Sequence, residues 1–424
     1  MLVLLLVAFI AGIAIDRTGL GGGGTAEVTA PTQPGSTAGG TIGPGVTVPP
    51  DMPANFGLFW EAVDLVRQHY VDQSKVTDDA ITYGSISGMI DALGDPGHTI
   101  FLTPADLKSE QDELSGTIVG IGVYLAEPSG SGGALIIQSV IPGSPAEAAG
   151  LRARDQIIAV DGTNVENMDV AAVATMIRGP AGTKVTLTVI HADGDSPVDI
   201  TITREVVTVP AVSWHMVPGT SDALVAITQF SDKSSQQLKA AVQAAQAAGA
   251  KGIVLDLRED PGGLVNEAVG TASQFLASGD VYIRQTSDGT QIKVPVQSGG
   301  IATSIPLVVL VDYGTASSAE IVAGALQDPA RAKIVGVRTF GTGTVLNTFP
   351  LSDGSAVRLA VEEWLTPLGR HIFPNGITPD VQVNQPSGVV DVTPDALAGM
   401  TAAQVVASGD TQLLAGLKQL GATP

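Results

Sequence analysis

Cysteine is absent from all 424 residues, which excludes disulfides and thiolate-held metal sites. That absence is compatible with an oxidising, extracytoplasmic setting. Aromatic residues make up only 4% of the chain, so the cores that its 44% apolar content can build are aliphatic. Basic runs are missing too. With a formal net charge of −21, the chain lacks the clustered Lys and Arg needed to neutralise nucleic-acid phosphates, so no nucleic-acid partner is expected. The five histidines (His69, His98, His191, His215, His371) stand far apart, with no HxxxH or HExxH pair, so neither a structural metal nor a cofactor is expected.

What is present starts with an apolar run over residues 2–15, "LVLLLVAFIAGIAI", closed by Asp16 and Arg17. As a helix it reaches ~21 Å, short of the ~30 Å hydrocarbon core of a bilayer. That length suits an export signal. Residues 1–17 are therefore expected to be a signal or an uncleaved single-pass anchor at the cell membrane, with an extracytoplasmic body; cleavage would make the protein secreted. Residues 18–54 are Gly, Pro, Thr and Ser with almost no large apolar side chain. Such a segment cannot repay its ordering entropy and is expected to be a flexible linker.

The body begins with a helical region, 55–115. "FGLFWEAVDLVRQHYV" spaces apolar residues by three and four, "DDAITYGSISGMIDAL" follows, and Thr103-Pro104 signals a further helix start. From 116 to 205 the pattern changes to short strands with Gly and Asp turns. From 206 to 386 strands such as "ALVAITQF", "KGIVLDLR", "PLVVLVD" and "AKIVGVRTF" alternate with helices. That alternation implies an α/β fold with a largely parallel sheet covered on its faces. The tail, 387–424, carries a last helix, "TQLLAGLKQL"; packing on a neighbour is one option, and composition does not decide it.

Two features of the third region converge on chemistry. "LREDPGG", residues 257–263, ends a buried strand in a turn able to aim backbone N–H groups at a developing oxyanion. "VDYGTASSAEIVAGALQD" ends another buried strand with small residues and opens a helix. A serine at such a turn lies near a helix N-terminus and needs only a base to become a nucleophile, although Ser317 and Ser318 also suit helix caps. The nearby "RTFGTGTVLN" has a glycine turn, but no lysine follows it in phosphate-loop fashion, so phosphate binding is excluded.

Residues 116–205 resemble a PDZ domain, through "GIGV", "GSPAEAAGL" and "DQIIAVDG". The resemblance implies that Gly120, Ile121, Gly122 and Val123 form the loop whose N–H groups capture a peptide carboxylate. From the N-terminal helices to "GITPDVQV", the chain resembles the carboxy-terminal (tail-specific) processing peptidases. The matching blocks are "ITQFSD", "GAKGIVLDLREDPGG", "ASSAEIVAGALQD", "RAKIVGVRTFG" and "LTPLGRHI". This implies a multidomain α+β protein: a ClpP/crotonase-like peptidase core, an N-terminal helical region and an inserted PDZ domain. It implies a serine endopeptidase acting on protein or peptide C-termini, in which a homo-oligomer is compatible. The family's nucleophile falls on Ser317, and its oxyanion donors on Gly262 or Gly263 and on Ser318.

The chain departs from that pattern at the base. Ser-Lys members carry a lysine in "FGKG" and a glutamine four residues on; here those positions hold Thr342 and Leu346. A threonine hydroxyl is no base near neutral pH, and Lys333 does not match the pattern. The replacement is expected to be His98, in the loop where the tricorn-type branch keeps its general-base histidine. An imidazole of ordinary pKa (~6.5) accepts a serine proton without the desolvation a lysine requires. Asp95, Glu362 and Glu363 are the candidates for an orienting acid. The competing expectation is a peptide-binding scaffold without turnover.

Overall fold

The computed structural model describes residues 55–95, 99–126, 135–166, 168–192, 194 and 196–423. The apolar run, the linker and His98 lie outside the described residues. No helix among the described residues is long and apolar enough to cross a membrane. The described residues fall into two units, 55–95 and 99–423. The first comprises the helices Gly57–His69 and Asp78–Asp91. The second of these starts where Thr77 accepts the Ala80 N–H, with Asp78 and Asp79 favourably placed at the positive end of the helix dipole.

In the second unit, residues 99–114 pack with the core. The strand Ile100–Leu102 pairs antiparallel with Ala356–Leu365, and the helix Pro104–Leu114 follows. Next comes the PDZ-like sheet. Its strands run Val123–Ala126, Ile136–Val140, Gln156–Val160, Lys184–Ile190 and Val198–Thr203 in spatial order, all antiparallel. Alternation along Lys184–Ile190 buries Val185, Leu187 and Val189, which pack with Val173 and Ile177 of the helix Val170–Ile177. Arg204 ties that helix down. Its guanidinium donates to the C=O groups of Met176 and Ile177 at the helix C-terminus and to that of Lys184 on the sheet.

The α/β core is a six-stranded sheet. In spatial order its strands are Val212–Met216, Asp222–Ile227, Gly252–Asp256, Leu307–Val311, Lys333–Gly336 and Val381–Gln382. Only the first pair is antiparallel. Both faces are covered, so its central strands read as unbroken apolar runs. Ile253, Leu255, Val309 and Val311 face one core, shared with the helices Ser234–Ala247, Val265–Phe275 and Ser318–Gln327. Val254, Val308 and Leu310 face the opposite core. The final helix, Thr411–Gln419, fills this second face with Leu413 and Leu417. Packing on a neighbour is thus replaced by packing on its own sheet. Gly416 permits the approach: a Cβ there would stand 2.9 Å from Leu310 Cδ2.

A second, five-stranded sheet is built around Ala356–Leu365, with Asp280–Gln285, Gln291–Pro295, Thr344–Pro350 and Ile100–Leu102.

Candidate active site

The two central parallel strands deliver their C-terminal ends side by side, the place where open α/β sheets build sites. From Leu307–Val311 the chain passes Asp312 into a turn. Thr315 stitches it to the neighbouring strand end by donating its hydroxyl to the Leu257 C=O at 2.8 Å. Ser317 follows at φ 51°, ψ −119°, a conformation that side-chain-bearing residues seldom adopt and that costs on the order of 1–3 kcal/mol. The helix Ser318–Gln327 opens directly after it, so the positive end of the helix dipole lies at the Ser317 side chain.

The 257–263 turn fits against this bend. A Cβ on Gly262 (φ +97°) would stand 2.7 Å from Ser317 Cβ and 2.8 Å from both the Ala316 O and the Ser318 N, so only glycine fits. Ala316 donates its N–H to the Asp260 C=O at 2.9 Å, and Ser318 donates its hydroxyl to the Gly263 C=O at 2.9 Å. Ser317, Ser318, Gly262 and Gly263 are therefore brought together. The two glycines differ. The Gly262 N–H is used, donating to Asp260 Oδ1 at 2.8 Å. Phe230 bonds to the Gly262 C=O and the Leu264 N–H, which in a parallel bridge turns the Gly263 amide to the other edge, where its C=O meets Ser318.

Glu320 ties the third segment in. Its carboxyl is buried one turn into the helix, accepting from the Ser317 N–H (3.0 Å) and Thr342 N–H (2.9 Å) on Oε2, and from the Gly341 N–H (2.8 Å) and the Thr339 hydroxyl on Oε1. Burial pushes this carboxyl above its ordinary range, and the four hydrogen bonds pull it only part of the way back. With both oxygens filled by donors, the ionised form fits this site. The residue replacing the family lysine, Thr342, is thus buried and shares one carboxylate oxygen with Ser317.

The other candidates are dispersed. Leu346 pairs with Ala360, and the Ala360 N–H donates to Thr99 Oγ1 at 3.1 Å. Glu362 is held in a two-pronged ion pair with Arg284 (2.6 and 2.7 Å), which lowers its pKa. Glu363 pairs with His371 at 3.3 Å and accepts from Gln285. Lys333 pairs with Asp380 at 3.7 Å. Asp95 belongs to the other unit.

In the PDZ-like sheet, Gly122 (φ +84°) touches Ser144, whose Cβ would lie 2.3 Å from an added Cβ. The C=O groups of Ile121 and Gly122 accept from Ala146 and Ile141, which turns the loop's carbonyls inward. The strand that Val123 opens is the sheet's edge strand.

Sequence reading missed Asp260 and Glu320 as site residues. The signal was available for Glu320: it is the one charge inside "SAEIVAGALQ", an otherwise apolar helix built of small residues.

Comparison with known proteins bears on the same segments. A family model described as peptidase family S41 matches residues 222–383, and a PDZ-domain model matches 136–191. The chain is 36% identical over 334 residues to the carboxy-terminal processing protease CtpA of Bacillus subtilis, covering 78% of this chain and 70% of that one. It is 36% identical to a carboxyl-terminal-processing protease of Synechocystis, over 76% of this chain and 75% of the other. Among solved structures, an S41-type protein of Bacteroides fragilis superposes with a TM-score of 0.53 at 18% identity, covering 85% of this chain and 96% of that chain, a likeness of fold.

Proposed function

Because this chain belongs to peptidase family S41 and is a serine-type peptidase with a PDZ domain, acting on peptide or protein substrates, we propose that Ser317 is the nucleophile that attacks the scissile carbonyl. The observation that carries this reading is the strained Ser317 backbone, clasped between Gly262 and the Glu320 carboxylate at a helix N-terminus. A serine, rather than glycine, held in such a conformation fits a position kept for its side chain. The N–H groups of Ser318 and Gly263 stabilise the tetrahedral oxyanion; Gly262, whose N–H is committed to Asp260, holds the turn in place instead.

His98 is the base in this reading. Supporting it, the neighbouring Thr99 is anchored to Ala360, which pairs with Leu346 on the next strand, so the chain beside His98 runs within two strand spacings (~10 Å) of the position where relatives carry glutamine. The Glu320 site supports it too, since Thr342 contributes its N–H there and no proton acceptor. The "GIGV" loop receives a substrate carboxylate while the peptide extends the edge strand Val123–Ala126, and the protein processes C-termini. Residues 2–15 tether it to a membrane; recovery of the full chain in the soluble fraction of its host would refute the tether.

The test of the site is labelling by a serine-directed fluorophosphonate, together with turnover of an unfolded protein substrate. Wild type labels and cleaves. Ser317→Ala does neither, and His98→Ala loses turnover by ~10²–10⁴-fold. A wild type that neither labels nor cleaves would instead indicate a peptide-binding scaffold.

A further inference from the structure

Asp260 is the one residue of the site whose side chain has no evident reason to be ionisable. It is fully buried. Its Oδ1 accepts the Gly262 N–H at 2.8 Å, while its Oδ2 is buried with no hydrogen-bond partner. Its C=O accepts the Ala316 N–H, so this residue joins the glycine turn to the Ser317 turn from both its backbone and its side chain.

Among the described residues no positive charge compensates it. Arg258, two residues earlier, directs its guanidinium at Asp256, Asp391 and Asp410. Glu259 is exposed and gives its N–H to Asp312. Partial burial and a hydrogen bond between its carboxyl and that of Asp312 push its own pKa up to about 7, and the Asp312 charge in turn disfavours a charge on Asp260. Glu320, on the helix after Ser317, is occupied by its own four donors. A carboxylate in this position would be desolvated, bonded by a single N–H, and beside a like charge, all of which favour the neutral acid. Burial, reinforced by Asp312, accordingly pushes its pKa well above the ordinary carboxyl range.

We propose that Asp260 is a positioning residue held as the neutral acid, and that its ionisation as pH rises switches the site off. This rests on the reading of Ser317 as nucleophile. The neutral carboxyl holds Gly262 against Ser317 without placing charge near the forming oxyanion. Once ionised, the same carboxyl sets a negative charge in a water-poor site beside an intermediate that is itself negative, and opposes its formation. The arrangement parallels protonated carboxyls kept neutral by apolar surroundings next to oxyanions in other enzymes.

The test compares the full chain with Asp260→Asn, which keeps the oxygen that accepts from Gly262 and cannot ionise. In infrared difference spectra at neutral pH, wild type minus Asp260→Asn shows the C=O stretch of a protonated carboxylic acid, and that band fades as pH rises. In parallel, the pH profile of kcat in Asp260→Asn lacks the fall with rising pH that wild type shows. An absent band, or superimposable pH profiles in the two proteins, overturns the proposal. The band does not depend on which residue attacks substrate. Retained turnover in Ser317→Ala would sink the underlying reading, whereas a missing band would sink only this one.

Discussion

The two turns that flank Ser317 are each held by one buried carboxyl, yet they are held in opposite ways. On one side Glu320 gathers four donors and fits as a carboxylate; on the other Asp260 has a single donor and fits as the acid. Burial raises both pKa values, so burial alone does not distinguish them. The count of donors does. The difference teaches where this site fits a charge: against the segment that replaces the family lysine, and away from the 257–263 turn.

The sharpest way to break the comparison is Gly262→Ala. With φ at +97° and a Cβ forced to 2.7 Å from Ser317, the turn must withdraw, and turnover of an unfolded protein should drop by ~10²–10³-fold. Near-normal turnover would show that the turn has no part in catalysis. Glu320→Gln comes next. An amide keeps one accepting oxygen and points N–H groups at donors, so urea unfolding should report a loss of about 3 kcal/mol. An unchanged midpoint would mean that the four bonds do not hold the 339–342 segment.

Asp260→Asn sharpens the contrast through pH. Its folded-state pKa lies above the unfolded value of ~3.9, so the folded chain keeps a proton the unfolded chain has lost. The stabilising share is full below about pH 4 and is lost as pH rises through the folded-state value. The variant should therefore gain stability over wild type progressively above about pH 4, read from urea midpoints across pH; a constant gap contradicts a neutral Asp260. The smallest effect is expected from Thr342→Ala. Only the main-chain N–H of Thr342 binds Glu320, and alanine keeps it, so kcat should stay within about threefold. A larger fall would give the Thr342 hydroxyl a role.

Much of the fold was legible because its central strands sit between two cores. "GIVLD" and "LVVLV" are buried along their whole length, which is what an apolar run between helical patterns signals. The turn that opens at Ser317 was readable for a related reason, small residues between an apolar run and an apolar helix. The five-stranded sheet was harder to foresee. Its strands Thr344–Pro350 and Ala356–Leu365 carry mixed, half-exposed side chains, and the latter pairs with a segment far away in the sequence, Arg358 opposite Ile100. The direction in which "TQLLAGLKQL" packs was equally hidden, because a helix's apolar stripe says that it is covered without saying by what. Asp260 was missed since sequence shows a carboxyl's position and never its donors, whereas Glu320 stood out as the one charge in an apolar helix.

The central claim is that Ser317 is an activated nucleophile in a site without the family lysine. It is tested most directly by reacting the full chain with a fluorophosphonate and locating the adduct by peptide mass spectrometry. The account predicts one modified site, Ser317, lost in Ser317→Ala. A wild type that stays unmodified, or an adduct on any other residue, would contradict it.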